Sequence, residues 1–570
     1  MIKLNNFILL ILQIIFFSII FNQVQSKNLE KYSSKNISAY FSGIVSLYDN
    51  EYMDSYKFLK KLNGLENKHY NYAQLYQYSL INLGKFQEAF KYAKKLENKG
   101  IENFENNLII GVHYLKNKKY NLAKKYFKKI YKNKDISSLQ VLISQSLFNW
   151  ASYENIDSEE AKKMLNLIPP QYDSIKKIQN SFLHCYYSLE KTSKTFEQLL
   201  NNKKQNYARY SFFFANYLER NGKRNQANEV IAESLMLHPR NLMLNQMKNN
   251  FYQVKNKDRK NLFNCKNAGN VGAELLYIAA NALSTQSIYS VSNFYINLAK
   301  YLNPNFASYN TLHAENFFMS GDYEKAKKMY IDIQEYGSAF KWYASKQIAS
   351  ILYNQNKKDN SYKFLQKIFK DIDHPSIYEI YDYAEFLKEN EKFKESIKYY
   401  SDLMKLIKQN HPLYPKVTDS RGIAYERIGN WDEAEKDLIR SLSVKPNQPY
   451  VINYLAYSWI EKGIKINESL EMLKKANDLK ANDGYIIDSL GWALFKLKKY
   501  KQSKKYLQQA VKIMPSDPVV NNHFGDSLWM NGKKIQARYY WKYVLNLKKT
   551  DDKLKSEIIE KLIFGPKSKT

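Results

Sequence analysis

A chain of 570 residues is longer than one compact core, but an array of short stacked units needs no single core, so length does not impose several globular domains. Lys and Arg total 87 against 55 Asp and Glu, a formal charge of +32. An anionic partner such as a polymer or lipid surface would explain that excess. So would compositional drift in a chain rich in Lys, Asn, Ile, Tyr and Phe, because the lysines are scattered (KYAKKL, KKYFKKI, KKYLQQ) rather than gathered into one patch.

Residues 1–26 read as a targeting segment. Lys3 supplies a positive start, Phe7 to Phe21 is a run of fifteen mostly apolar residues, and Val24-Gln25-Ser26 offers a small-residue cleavage site. The run is short beside the about 20 residues of a spanning helix, which favours a cleaved signal peptide over an uncleaved anchor. Residues 7–21 would hold the chain to a membrane only if uncleaved. Export also disfavours nucleic acid as the partner of the positive charge.

From there the chain restates itself. Gly43, Gln77 and Gly111 step by 34 residues, with Ala89 and Ala123 twelve residues after the last two, so residues 27–136 are expected to be paired helices. Residues 137–242 keep the pattern poorly: they contain Pro169-Pro170, although Ala215, Gly222, Ala227 and Pro239 reproduce it once. They are read as degenerate helical hairpins. Residues 243–272, with KNKDRKNLFNCKNAGNVG, have the composition of a linker and are the best candidate for a break between two helical arrays. The phase returns at Ala280, Ala314, Ala349 and Ala384 over residues 273–410. A longer step through HPLYP leads to Gly422, Ala456, Gly491 and Gly525 in residues 411–550, spaced 34, 35 and 34 apart. A terminal helix and basic tail, 551–570, complete the chain.

Each copy is predicted to be two helices that cannot bury their own apolar faces and must stack on the next copy. The small phase residue marks the closest crossing on the first helix (helix A). Ala434, Ser503 and Ala537, twelve residues on, mark it on the second (helix B). Pro446 and Pro515 end helix B, and Asn430 with Glu433 frames the start of one.

A period of 34 with small residues at this phase resembles the tetratricopeptide repeat. The resemblance implies an all-α solenoid, a right-handed superhelix of antiparallel helix hairpins, that binds protein or peptide partners and is not an enzyme. NYLAYSW, NDGYIIDSLGWALFKLKKY and DPVVNNHFGDSLWMNGKKIQARYYW further resemble bacterial envelope repeat proteins. Those include a lipoprotein adaptor of a carboxy-terminal-processing protease, which implies a processing protease or envelope assembly complex as partner. The expected place of work is therefore the periplasm or the membrane. No Cys follows the apolar run, so the chain departs from the lipoprotein there.

Motifs for chemistry are absent. The sequence has no GxxxxGK[ST], HExxH or GxSxG, and its eight histidines are dispersed. No catalytic residue, cofactor or metal site is expected. Cys185 and Cys265 lack metal-ligand spacing; an oxidising compartment would permit a bridge, but two unpaired buried thiols are the expectation.

In the resembled family one face of helix A lines a concave groove. Counting each copy from seven residues before its phase residue, that face takes the second, fifth, ninth, twelfth and thirteenth places. Here it carries Tyr450, Asn453 and Tyr457, then Tyr485, Asp488, Trp492, Phe495 and Lys496, then Asn522, Asp526 and Trp529. Rigid aromatic area beside amides and carboxylates suits an extended peptide. The competing reading is that these rings pack against neighbouring helices. Trp459, at the eleventh place, is expected in the core either way. The alternative function, a basic envelope protein with the repeats as spacer, would place binding of anionic polymer or lipid on the outer surface instead.

Overall fold

The computed structural model describes residues 33–566, apart from 68, 134–135, 202–205 and 253–261. The targeting segment, including the apolar run at 7–21, lies outside the described residues. No described helix is long and apolar enough to cross a membrane. The chain divides into two compact units at Ser361–Tyr362.

The first unit runs α1 (Ser34–Tyr48), α2 (Tyr52–Lys60), α3 (Tyr70–Asn82), α4 (Phe86–Asn98), α5 (Phe104–Lys116), α6 (Tyr120–Tyr131), α7 (Ser138–Ser152), α8 (Ser158–Leu165), α9 (Asp173–Tyr186), α10 (Thr192–Leu200), α11 (Ala208–Arg220), α12 (Arg224–Leu237), α13 (Leu242–Tyr252), α14 (Ala268–Thr285), α15 (Tyr289–Leu302), α16 (Ala307–Met319), α17 (Tyr323–Ile333) and α18 (Ser338–Asn354). The division falls within α19 (Lys358–Lys370). The second unit continues with α20 (Ile377–Glu389), α21 (Phe393–Leu406), α22 (Tyr414–Arg427), α23 (Trp431–Val444), α24 (Pro449–Lys462), α25 (Ile466–Leu479), α26 (Gly484–Lys496), α27 (Tyr500–Ile513), α28 (Pro518–Met530), α29 (Lys534–Leu545) and α30 (Asp552–Phe564). Among the described residues there is no strand, and successive helices pack as antiparallel hairpins: this is the expected all-α solenoid.

The repeat frame has a steric cause. A Cβ on Gly491 would sit 2.7 Å from Leu507 Cγ, one on Gly43 would sit 2.7 Å from Leu59, and one on Gly111 would sit 2.5 Å from Phe127. Leu59, Phe127, Leu507 and, opposite Gly525, Trp541 all follow their phase glycine by sixteen residues and are fully buried. Large on helix B and small on helix A is thus one fitted pair, and burying each large side chain contributes roughly 1.5–3 kcal/mol. In three copies a serine twelve residues after the phase ties the hairpin directly through its hydroxyl. Ser55 Oγ donates to the Gly43 carbonyl at 2.8 Å, Ser292 to that of Ala280 at 2.7 Å and Ser361 to that of Ala349 at 2.7 Å.

A second constant lies in the turn between helices A and B. The residue seven after the phase is left-handed whatever its identity: glycine at 222, 321, 429, 463 and 532, but also Asn50, Lys118, Ser287, Asn356, Glu391 and Lys498. Ser188 carries the same geometry and identifies α9–α10 as a further hairpin phased on Ser181, hidden from the sequence because neither marker residue there is a glycine.

The first unit departs from simple neighbour stacking. α14 packs against α5 and α7, and α15 against α3 and α5. Phe294 lies against Tyr78 with ring centroids 4.7 Å apart, Asn297 donates to Asn82 at 3.2 Å, and Lys116 Nζ donates to the Leu302 carbonyl at 3.2 Å. Two features tie down the chain entering α14. Cys185 and Cys265 are joined in a disulfide with a Cα–Cα distance of 6.0 Å, so the expectation of unpaired thiols is corrected. Phe263, two residues before Cys265, packs on Phe182 and Phe213. These rings bring the 265 region against α9, which spacing along the sequence could not indicate.

Candidate binding groove

On α3 and α5 of the first unit the later groove-facing places are already filled, whereas Ile37, Tyr48 and Met319, at such places on α1 and α16, are exposed. Tyr78 and Asn82 occupy the ninth and thirteenth places of α3, and Leu115 and Lys116 the twelfth and thirteenth of α5. All four meet α14 or α15. The chain's own helices sit where a guest peptide would lie.

In the second unit the same places fall on α20, α22, α24, α26 and α28. Tyr450 and Tyr485, at second places, are 53% and 58% exposed. Tyr450 donates to Asp483 at 3.0 Å, and Lys480 Nζ lies 4.2 Å from its ring. Deeper in, the ninth and twelfth places converge. Stacking of indole on imidazole organises them: the Trp492 ring lies on His523 at 4.0 Å and on Phe495 at 4.7 Å, Tyr457 approaches His523 at 6.5 Å, and Lys496 Nζ stands 4.9 Å from the Trp492 ring. Trp492 is only 8% exposed and donates Nε1 to Glu461 at 2.6 Å. It is a floor beneath the face more than a projection from it. Asp488 is buried; its Oδ2 meets His523 Nδ1 at 2.9 Å, and its Oδ1 has no donor. Asn453 Oδ1, at the fifth place of the preceding A helix, is likewise buried without a donor.

Electrostatics follow from this packing. Burial alone would lower the His523 imidazole, but the Asp488 carboxylate outweighs it and holds the ring above its ordinary value. Burial pushes the Tyr457 phenol up, with Glu461 and Asp488 adding to the rise. His523 is the member of this cluster that sequence reasoning did not assign to the groove. It stands at the sixth place of its copy, and only stacking of adjacent A helices brings it onto Trp492.

The last three residues of the sequence-derived strip are covered rather than open. From α30, Lys561 Nζ donates to Asn522 Oδ1 at 2.9 Å and pairs with Asp526 Oδ2 at 2.8 Å. Burial raises the Asp526 carboxyl, Lys561 opposing. Trp529 is half-buried against Trp541 and beside Gly565. Trp459 is 3% exposed, as a core residue should be, and donates Nε1 to Glu435 at 2.7 Å.

Acidic residues crowd the remaining groove places: Glu385 and Glu389 on α20, Asp419 and Glu426 on α22, and Glu461 at the end of α24. Glu385 accepts from Tyr400 at 2.5 Å and from Lys388 at 2.9 Å. Among the described residues no group of three His, Cys, Asp or Glu is placed to hold a metal ion.

With this geometry in view, the comparisons with known proteins place residues 344–550 in a match to the tetratricopeptide repeat family model. The TPR repeat-containing protein PA4667 of Pseudomonas aeruginosa is 29% identical over 107 residues, 19% of this chain. The match spans 18% of that relative's own length. Among solved structures, MamA from Desulfovibrio magneticus RS-1 is 16% identical over 31% of this chain and 98% of its own, with a TM-score of 0.27. The APC/C hetero-tetramer Cut9–Hcn1 is 13% identical over 93% of this chain and 97% of its own, with a TM-score of 0.38. Repeats of this family form protein-interaction scaffolds, and that is the class of protein to which the matched helices are similar.

Proposed function

We propose that the chain is an exported scaffold or adaptor that binds protein or peptide partners in the bacterial cell envelope, through the A-helix face of its second unit. One observation carries the reading. On α3 and α5 of the first unit the groove places are filled by α14 and α15, whereas in the second unit Tyr450 and Tyr485 remain exposed on the face that also carries the stacked Trp492 and Phe495. The bridge between Cys185 and Cys265 suits an oxidising compartment. That supports export through the segment at residues 1–26, with a mature chain beginning at Lys27. The resemblance of the C-terminal repeats favours a processing protease or an envelope assembly complex as partner.

The test is affinity capture from envelope extract by the full mature chain, beside Tyr450→Ala with Tyr485→Ala. A partner identified by mass that is held by the parent chain and lost by the variant, at unchanged melting, supports the reading. Equal capture by both overturns the groove as its site. Capture that disappears at high salt for both chains favours instead the alternative of a basic surface on anionic polymer or lipid.

A further inference from the structure

The groove of the second unit reverses the sign of the chain's charge. Over the A helices α20, α22, α24 and α26, before the stretch closed by α30, the groove places hold six acidic residues against four basic ones, Lys388, Lys416, Arg427 and Lys496, in a chain where the totals are 55 and 87. A face of opposite sign to its surroundings concentrates counter-charge and rejects the other kind. We propose that this groove holds a cationic extended segment of a partner protein, its Lys or Arg side chains set among these carboxylates and against Tyr450 and Tyr485.

Three observations converge on a positively charged, donor-rich guest. First, Asp419 and Glu389 make no hydrogen bond or ion pair to another described residue, although Lys388 and Lys416 are near enough to influence Asp419. Burial pushes the Asp419 carboxyl up to about 7, Lys388 pulling it back and Glu385 adding to the rise. Such crowding is relieved when a cation arrives. Second, the fifth places of α24 and α26 each hold an acceptor with no donor, Asn453 Oδ1 and Asp488 Oδ1, and Asp488 is 5% exposed. An N–H or ammonium group arriving from the groove supplies the missing donor, and a buried acceptor gains more from one than an exposed acceptor does. Third, the rings of this face already take cations: Lys480 over Tyr450 at 4.2 Å and Lys496 over Trp492 at 4.9 Å. The remaining surface of the chain repels such a guest, so the net charge sharpens the selection instead of blurring it.

This inference rests on the groove reading above, and the experiment separates the two. Fluorescein-labelled octalysine, octaglutamate and a neutral Gly-Ser octapeptide are titrated against the full mature chain at moderate salt, followed by anisotropy. The same is done with Asp419→Asn combined with Glu389→Gln, two half-buried or exposed positions whose replacement should leave melting unchanged. Octalysine is expected to bind in preference to both other probes despite the chain's positive charge. The double variant should weaken it at least tenfold, about 1.4 kcal/mol. Octalysine that does not bind, that binds the variant equally well, or that is outcompeted by octaglutamate overturns the proposal. If octalysine is silent while a native partner is still captured in a manner dependent on Tyr450 and Tyr485, the cationic guest is wrong and the groove reading stands. If that capture fails too, both fall.

Discussion

Arg209 grips Glu274 through two parallel hydrogen bonds, Nε to Oε1 at 2.6 Å and Nη2 to Oε2 at 2.7 Å. The two residues are 65 apart in sequence, and both stand at the second groove place of their copies, α11 and α14. The guanidinium also lies 3.9 Å from the Tyr277 ring, and Glu274 is 1% exposed. Removing one partner leaves the other charge buried and uncompensated. Glu274→Ala is therefore expected to destabilise the first unit by about 3–5 kcal/mol, while Arg209→Met with Glu274→Leu loses far less than the sum of the single changes. Denaturant unfolding of the four chains checks this; additive losses would mean the pair is not coupled.

The disulfide between Cys185 and Cys265 spans 80 residues and fixes the chain just before α14. Replacing both cysteines by serine should cost about 2–5 kcal/mol, mainly by freeing the unfolded chain. The loss should show first as faster amide exchange in α14, α15 and the faces of α3 and α5 they cover. Exchange that rises only near residues 185 and 265 would show that ring packing around Phe263 holds the fold-back unaided.

His523 gives the second unit a pH dependence of defined sign. Its folded-state value is raised above the ordinary histidine value of about 6.5. The stability it contributes is complete below that value and is lost as pH rises through the folded value. Asp526, also raised by burial, acts in the same direction. Melting of the second unit is thus expected to fall as pH climbs from about 6.5 into the alkaline range, and His523→Gln should flatten that slope. A slope unchanged in the variant would assign it to other groups.

Two substitutions in one hairpin are expected to act with opposite signs. Gly491→Leu drives a side chain into Leu507 and its backbone N, 3.1 Å from the new Cβ, and should cost about 1–3 kcal/mol. Lys498→Gly, seven residues on, relieves a left-handed backbone at φ 59° and should stabilise by about 0.5–1 kcal/mol. Limited proteolysis should cut the first variant near residues 456–525 sooner than the parent, because damage in a repeat array stays near its neighbours. The second variant should be cut later.

The sequence by itself determined the hairpin. Gly491 and Leu507, or Gly43 and Leu59, are sixteen residues apart and meet through local helix geometry, so a short-range pattern of small and large residues is enough to encode them. It determined that Trp459 is core, and it placed Asp488 and Trp492 on one face of α26, because residues three or four apart on a helix share a side. The hairpin phased on Ser181 is not legible in the sequence, since its turn keeps the left-handed geometry without the glycine that would announce it. What only the tertiary structure decided are contacts with no period: α14 and α15 lying on α3, α5 and α7, Cys185 meeting Cys265, His523 under Trp492, and Lys561 closing over Asn522 and Asp526. Each joins residues whose meeting depends on how many hairpins intervene and how they stack. Shape and charge complementarity over distance select those pairs, and neither leaves a spacing in the chain.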